Sequence, residues 1–419
     1  LLSRRQRQMC IRDSNLSLES KRREIQKSKY GVSENRARLL PQISAVAGYS
    51  NNFDPPVSVT DGSSYGVPYN ITQTLQHSAN AGLEMQMPLF NQTLYTSMSI
   101  AKVVEEISRL SYGKAREDII LQISKMYYLG QVTAEQIVLI KANITRLEEL
   151  RDITRAFFDN GMSMEVDLKR VNINLENLKV QYDNAQAMMK QQLNMLKYIM
   201  DYPAEKEITL TPVNTDSITT VALTGLSENL YELQLTQSQL ELAERQKRMI
   251  TNGYIPSLSL TGNWRYAAYT DKGYHWFHSG PSNQWFRSYG VGLTLRIPIF
   301  DGLDKTYKIK KAMIDIENKR LAWEDARKNL QTQYLNAVND LMNNQRNFKK
   351  QKDNYLLAED VYAVTSDRYR EGIASMTEVL QDEMQMSEAQ NNYISAHYNY
   401  RVTNLMLLKL TGQIESLVK

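Results

Sequence analysis

Cysteine is almost absent from these 419 residues, with Cys10 the only one. A single thiol gives no internal disulfide and no cysteine metal site. Phenylalanine is scarce at 8 residues and aromatics make up 9%, which argues against a thick globular core. No run of 18 apolar residues occurs, so no transmembrane helix is present. Neither sign of charge dominates: the formal net charge is +4, and residues 1–14 hold four Arg against one Asp. The remainder is near neutral and gives no reason to expect nucleic-acid binding. There is no phosphate-binding glycine loop, no nucleophile elbow and no paired Cys or His at ligand spacing. Carboxylates are plentiful but spread along helix faces, where solvation is their ordinary role. No catalysis, cofactor or metal is expected.

Glycine and proline are missing from residues 303–371, and this stretch organises the rest. It is rich in Lys, Glu, Gln, Asn, Leu and Ala, which tolerate a helix. Apolar or small residues recur at alternating steps of four and three: Leu330, Tyr334, Ala337, Leu341, then Tyr355, Ala358, Tyr362, Thr365 and Tyr369. That spacing draws the narrow seam of a coiled-coil helix, roughly 100 Å long at about 1.5 Å per residue. So thin a seam is unstable alone in water, and companions must run beside it. Residues 91–159 form a second run of similar length, free of Pro and holding only Gly113 and Gly130. Four shorter runs, 15–40, 162–202, 226–252 and 373–411, stack in pairs to the same height. The expectation is a cylinder wall of two long helices and two stacked pairs.

Residues 1–14 stand apart. Met9-Cys10-Ile11-Arg12-Asp13-Ser14 resembles a translated adapter sequence, so this segment is expected to be non-native and is excluded from fold reasoning. The native chain then has no Cys, which is compatible with an oxidising compartment such as the periplasm. No signal peptide is visible, and the natural start is expected to be missing.

At Pro41 the hydrophobic period changes from near 3.6 to two. Ile43, Ala45, Ala47 and Tyr49 alternate with Gln42, Ser44, Gly48 and Ser50. A loop rich in Asn, Asp, Gly, Pro and Ser spans 51–78. Alternation returns with Ala81, Leu83, Met85, Met87 and Leu89, and Pro88 and Phe90 close that strand. The second half repeats the plan. Leu258, Leu260, Trp264 and Tyr266 form one strand after Pro256, and Tyr289, Val291, Leu293, Leu295, Ile297 and Ile299 form another around Pro298. Paired positions lie 210 to 215 apart, an internal duplication of nearly the whole chain. The expected repeats are 15–202, with strands near 42–50 and 80–89, and 226–419, with strands near 257–266 and 288–299. Residues 203–225 link them, and Ile208-Thr209-Leu210-Thr211-Pro212 reads as a short strand in an equatorial belt. Pro41, Pro88, Pro256 and Pro298 mark the expected strand-to-helix boundaries.

Each strand is about ten residues, apolar on one face and small or polar on the other, as in a membrane β-strand. One such strand alone is read more simply as part of a soluble antiparallel sheet. Four of matched length at one end of a long helical body shift the reading. Four strands cannot close a barrel, for which roughly eight are needed, and an open sheet in lipid leaves edge groups unpaired. The chain must therefore oligomerise if the strands enter a membrane, and three copies supply twelve strands.

The duplicated helix–strand–strand–helix plan, the Pro-apolar-Phe strand ends and the Gly-x-x-Ser helical turns together resemble the TolC-like outer-membrane efflux proteins. Residues 370–380 (Arg-Glu-Gly-Ile-Ala-Ser-Met-Thr-Glu-Val-Leu) look like that family's tip motif, and 158–168 are its weaker partner. The resemblance covers about 15–412. It implies a mainly α fold with membrane strands: a homotrimer with a twelve-stranded β-barrel in the bacterial outer membrane, continued by a long α-helical barrel through the periplasm. It implies passive export of small molecules or proteins, as the exit duct of a tripartite efflux or type I secretion system, driven by an inner-membrane pump of the RND, ABC or MFS type through a periplasmic adaptor. The tip turns Asn160-Gly161-Met162-Ser163 and Gly372-Ile373-Ala374-Ser375 would contact the adaptor. The periplasmic gate would use a tyrosine–aspartate contact and acidic rings, at positions held here by Tyr369, Asp167 and Glu378. Two departures are visible: the second ring acid is Gln381, with Asp382 adjacent, and a latch Arg is replaced by Ala374. The gate is therefore expected to be less charged or latched differently.

Tyr49, Trp264, Tyr266 and Tyr289 fit equally an interfacial girdle and plain β-propensity. Residues 267–288 are dense in aromatics, among them Tyr269, Tyr274, Trp276, Phe277, Trp285 and Phe286, fit to fold over an outer mouth or touch lipid. His275 and His278 lack a third ligand and do not make a metal site. Two other classes remain open: a periplasmic adaptor, which normally has one hairpin flanked by compact β-domains, and a coiled-coil structural protein, which leaves the four strands unexplained.

Overall fold

The computed structural model describes residues 15–55, 57–61, 69–73, 75–212, 225–271 and 284–418. The elements run α1 (Leu16–Ala37), β1 (Gln42–Asn51), β2 (Val57–Asp61), β3 (Tyr69–Gln73), β4 (His77–Phe90), α2 (Gln92–Asp159), α3 (Glu165–Ile199), α4 (Tyr231–Asn252), β5 (Ser257–Thr270), β6 (Trp285–Arg296), α5 (Asp304–Arg370) and α6 (Met376–Leu410), ending in a 3-10 turn at Ile414–Leu417. The adapter-like residues 1–14, the loop residues Tyr274, His275, Trp276, Phe277 and His278, and linker residues 213–224 lie outside the described residues. The chain divides into a sheet unit, residues 26–106 and 238–320, and a helical unit made of the rest.

In the sheet unit, β1, β4, β5 and β6 form an antiparallel sheet in the order β1-β4-β5-β6. The register aligns the alternation across all four strands. Ile43 faces Met85, Ala45 faces Leu83 and Leu83 faces Trp264. Trp264 in turn faces Tyr289, and Leu260 faces Leu293. One face is therefore apolar from edge to edge, and much of it is exposed, with Val291 at 80% and Ile43 at 68%. The opposite face carries Gln42, Ser44, Gln86, Thr261 and Asn263, together with the ion pair of Glu84 and Arg265 at 2.8 Å. Tyr49, Trp264, Tyr266 and Tyr289 all fall on the apolar face, where Trp264 and Tyr266 pack edge to face at 5.5 Å. Outside this sheet, β2 and β3 pair with each other. The composition of 51–78 predicts a loop, although Val57 and Val59 alternate with Ser58 and Thr60. That stretch was too short and too polar to stand out.

In the helical unit the seam of α5 is buried as its spacing predicts. Leu330, Ala337, Leu341, Tyr362 and Tyr369 are each no more than 8% exposed. Four apolar clusters follow one another along the helices. The one nearest the α2–α3 and α5–α6 turns holds Leu147, Leu150, Val171, Leu175, Tyr362, Tyr369, Val379 and Met386. α2 continues unbroken through Gly113 and Gly130, whose missing side chains are notches. A Cβ at Gly113 would come within 2.4 Å of the Tyr231 ring, and one at Gly130 within 2.6 Å of Leu210. No helix among the described residues is long and apolar enough to cross a membrane.

Two expectations are corrected. Residues 208–212 are not a strand. They lie against α2, where Gln131 Nε2 donates to the Thr211 carbonyl at 2.8 Å and Tyr127 bonds the Thr211 hydroxyl. Ile208 and Leu210 sink into the apolar cluster around Ile120 and Leu196, and Pro212 has no N–H to give a ladder. The prolines also mark boundaries unequally. Pro41 and Pro256 each stand just before a strand, Pro88 lies inside β4, and Pro298 follows the end of β6 by two residues. Pro88 is tolerated because the β4–β5 register shifts between Pro88 and Phe90.

Candidate functional site

The two tip turns are built on one backbone pattern. α2 and α5 each end with a glycine in the left-handed region, Gly161 at φ 75° and Gly372 at φ 73°. Gly161 N–H donates to the Phe158 carbonyl at 2.9 Å and Met162 N–H to Phe157 at 2.7 Å. Gly372 N–H donates to Tyr369 at 2.9 Å and Ile373 N–H to Arg368 at 2.8 Å. This pair of bonds satisfies the last helical carbonyls and requires positive φ at the glycine. Nothing lies within 4 Å of a Cβ at either site, so conformation and not space selects glycine. Met162, at 69%, and Ile373, at 62%, project from the two turns.

The helices that leave the turns start differently. Ser375 caps α6: its Oγ accepts from the Glu378 N–H at 3.3 Å, while the Glu378 carboxylate accepts from the Ser375 N–H at 2.8 Å. Glu378, expected as a ring acid, is thus committed to a capping box. The Ser-x-x-Glu spacing announced this, and the sequence reading passed over it. At the start of α3 the N-cap is Met164, which makes no side-chain bond. Asp167, the residue matching Glu378, instead pairs loosely with Arg170 at 3.4 Å, and Arg170 also reaches the Thr377 hydroxyl at 3.4 Å.

Tyr369 is buried at 5% exposure, tilted against Phe157 at 5.6 Å. Its hydroxyl donates to Thr154 Oγ1 at 3.3 Å. The direct tyrosine–aspartate bond implied by resemblance is therefore not the one this chain makes, because Thr154 occupies the hydroxyl. Asp167 is near enough to act through its charge. Burial raises the Tyr369 pKa, the Asp167 carboxylate adds to the rise, and the Thr154 bond opposes it. Thr154 is wholly buried, donates to the Leu150 carbonyl at 2.7 Å, and has its own carbonyl approached by the Ser163 hydroxyl at 3.4 Å. It ties α2, the first turn and α5 together. Its place four residues after Leu150 on the seam was the only sequence signal for this role.

Of the remaining expected gate residues, Gln381 is exposed and Asp382 half-buried, while the next residue, Glu383, is 4% exposed. Its Oε1 has no hydrogen-bond partner, and burial alone raises its pKa above 4.5. Its charge also bears on Tyr362, which burial pushes up to about 12. Further from the turns, Arg146 bridges Glu359 at 2.5 Å and Asn143 at 3.1 Å, and Asn143 donates to Gln390 at 2.7 Å. These are positioning groups. Among the described residues no cluster of three or more His, Cys, Asp or Glu could hold a metal.

A family model described as outer membrane efflux protein matches this chain twice, at residues 11–200 and 224–413. The chain belongs to the outer membrane efflux protein family. It is 22% identical over 405 residues to the outer membrane protein TolC of Vibrio cholerae, spanning 91% of this chain and 84% of that one. It is 24% identical over 380 residues to the antibiotic efflux pump outer membrane protein ArpC of Pseudomonas putida, covering 85% and 75%. Its fold is similar to that of the outer-membrane channel OprN, with a TM-score of 0.80 at 15% identity over 98% of this chain and 90% of that one. The outer membrane efflux protein family is one of transport and not of catalysis, and it places this chain in the outer membrane.

Proposed function

We propose that three copies of this chain assemble into a passive exit duct, a twelve-stranded barrel in the outer membrane continued by a helical barrel in the periplasm. The carrying observation is the sheet: four strands, apolar across one whole face, with β1 and β6 left as open edges. Four strands cannot close, and unpaired edges in lipid are too costly to persist. Exposed apolar stripes at seven-residue spacing support the same assembly. Leu335 and Met342 on α5, at 53% and 49%, and Ile173 and Val180 on α3, at 61% and 58%, have the spacing of coiled-coil seams awaiting a neighbour. An inner-membrane pump would supply the energy through a periplasmic adaptor seated on the tip turns, 160–163 and 372–375. The descriptions of the Pseudomonas putida relatives as antibiotic and toluene efflux pump proteins favour small molecules as cargo.

Electron microscopy of the detergent-solubilised protein tests the assembly. A hollow three-fold cylinder of roughly 100 Å or more is expected, and a solid rod or a detergent-independent monomer would overturn it. The gate is assigned to Tyr369, Asp167, Glu378, Gln381 and Asp382. Asp167→Ala and Tyr369→Phe should each raise single-channel conductance in a planar bilayer. Unchanged currents for both would remove the gate from these residues.

A further inference from the structure

The segment that leaves β6 changes character within a few residues. Ile299 and Phe300, just past the strand end, are 93% and 80% exposed. The first turn of α5 then cancels its own charge: Lys305 pairs with Asp301 at 2.9 Å and Lys308 with Asp304 at 2.7 Å. Lys310 and Lys311 follow, both exposed, and among the described residues neither is in an ion pair, Asp315 one turn beyond Lys311 included. Lys310 lies 5.6 Å from the ring centre of Tyr307, itself 63% exposed. Tyr307, Lys310 and Lys311 share one helix face, being three and four residues apart.

We infer that Tyr307, Lys310 and Lys311 form a docking surface for the phosphate headgroup of an acidic phospholipid in the inner leaflet of the outer membrane. The inference rests on the barrel reading above, which puts the apolar strand face in lipid. Ile299 and Phe300 then sit at the edge of the hydrocarbon. Lys310 and Lys311 lie about 10 Å along α5 from its start, within reach of a headgroup layer roughly 5–7 Å thick once the long lysine stems extend. Aromatic rings prefer that interface. Two cations outside any ion pair, beside a self-neutralised turn, favour a headgroup of net negative charge over a zwitterionic one, whose phosphate is already balanced by its own cation. With each cation contributing about a factor of five near an acidic surface, the pair gives roughly twenty-five-fold.

Native mass spectrometry of the detergent-solubilised full chain, offered equal amounts of phosphatidylglycerol and phosphatidylcholine with the same acyl chains, tests this. The wild type should retain phosphatidylglycerol preferentially, and Lys310→Gln/Lys311→Gln should lose most of that roughly twenty-five-fold preference. Lys349→Gln/Lys350→Gln, the same charge change farther along α5, should keep it. Equal retention by all three proteins, or equal loss in both variants, overturns the surface. If the barrel reading itself fails, the pattern differs: the wild type is soluble without detergent and carries neither lipid.

Discussion

The turn after α2 and the turn after α5 share a glycine conformation and a pair of carbonyl-satisfying bonds, yet the helices they release are held unequally. α6 begins on a closed capping box between Ser375 and Glu378. α3 begins on Met164, whose thioether accepts nothing, leaving Asp167 to a stretched contact with Arg170. Both turns rest on the same apolar cluster. Duplication has thus kept what the backbone requires, a residue able to adopt positive φ, and let the side-chain capping diverge. The first turn, with Met162 and Met164 exposed at 69% and 71%, is the one expected to fray and to adapt to a partner.

The shared cluster is where the comparison breaks most completely. Leu150, 2% exposed between the two turns, should cost about 2–5 kcal/mol when cut to Ala. Hydrogen exchange should rise at both 160–167 and 371–378, and a rise at one turn alone would show that they are separate units. Next in size are the glycines. Gly161→Val and Gly372→Val force a branched side chain into the left-handed region, at about 1–2 kcal/mol each. The two costs should agree, since neither site has a steric neighbour. A large difference in melting temperature between the variants would mean that the turns are not equivalent. The caps then separate them. Ser375→Ala should lose about 1 kcal/mol and Met164→Ser should gain a similar amount, read as opposite shifts in exchange at the two helix starts. Shifts of one sign would mean that the capping box is not what distinguishes them.

The backbone of these turns was legible in the sequence because glycine after a long helical seam has few other uses. Which residues of each strand share the apolar face was legible too, because strict alternation fixes it; the strand order and register were not, since alternation within a strand does not name its neighbour. What escaped was chemistry that looks ordinary in one dimension. Thr154 and Glu383 are common residues on amphipathic helices, and only the packing of α2, α5 and α6 makes one a hub and the other a buried acid. Tyr369 was singled out from the resemblance as a gate residue, but its hydroxyl partner could not be read, since Thr154 and Asp167 both lie near it and only geometry chooses. The short pair β2–β3 was missed because its five-residue strands sit inside a stretch whose composition is that of a loop.

Glu383 sharpens the comparison with the smallest effect. At the spacing that relates Gly161 to Gly372, its counterpart in the first half is Asn172, which does not titrate. Burial favours the neutral form of Glu383 in the fold and lifts its pKa above 4.5. Its contribution to stability is therefore present in full below pH 4.5 and declines as pH rises through the raised value, when a carboxylate must form with Oε1 unbonded. Tyr362 and Tyr369 stay protonated across that range, and Arg146 and Arg370, the cations whose charge reaches Tyr362, are engaged by Glu359 and by Asp367 and Glu149. Glu383→Gln keeps the shape and removes the titration. Its melting temperature should match the wild type in acid and exceed it by a margin that widens toward alkaline pH. A constant margin, or one that narrows, would mean that Glu383 is solvated or paired in solution and that the two halves of the tip respond to pH alike.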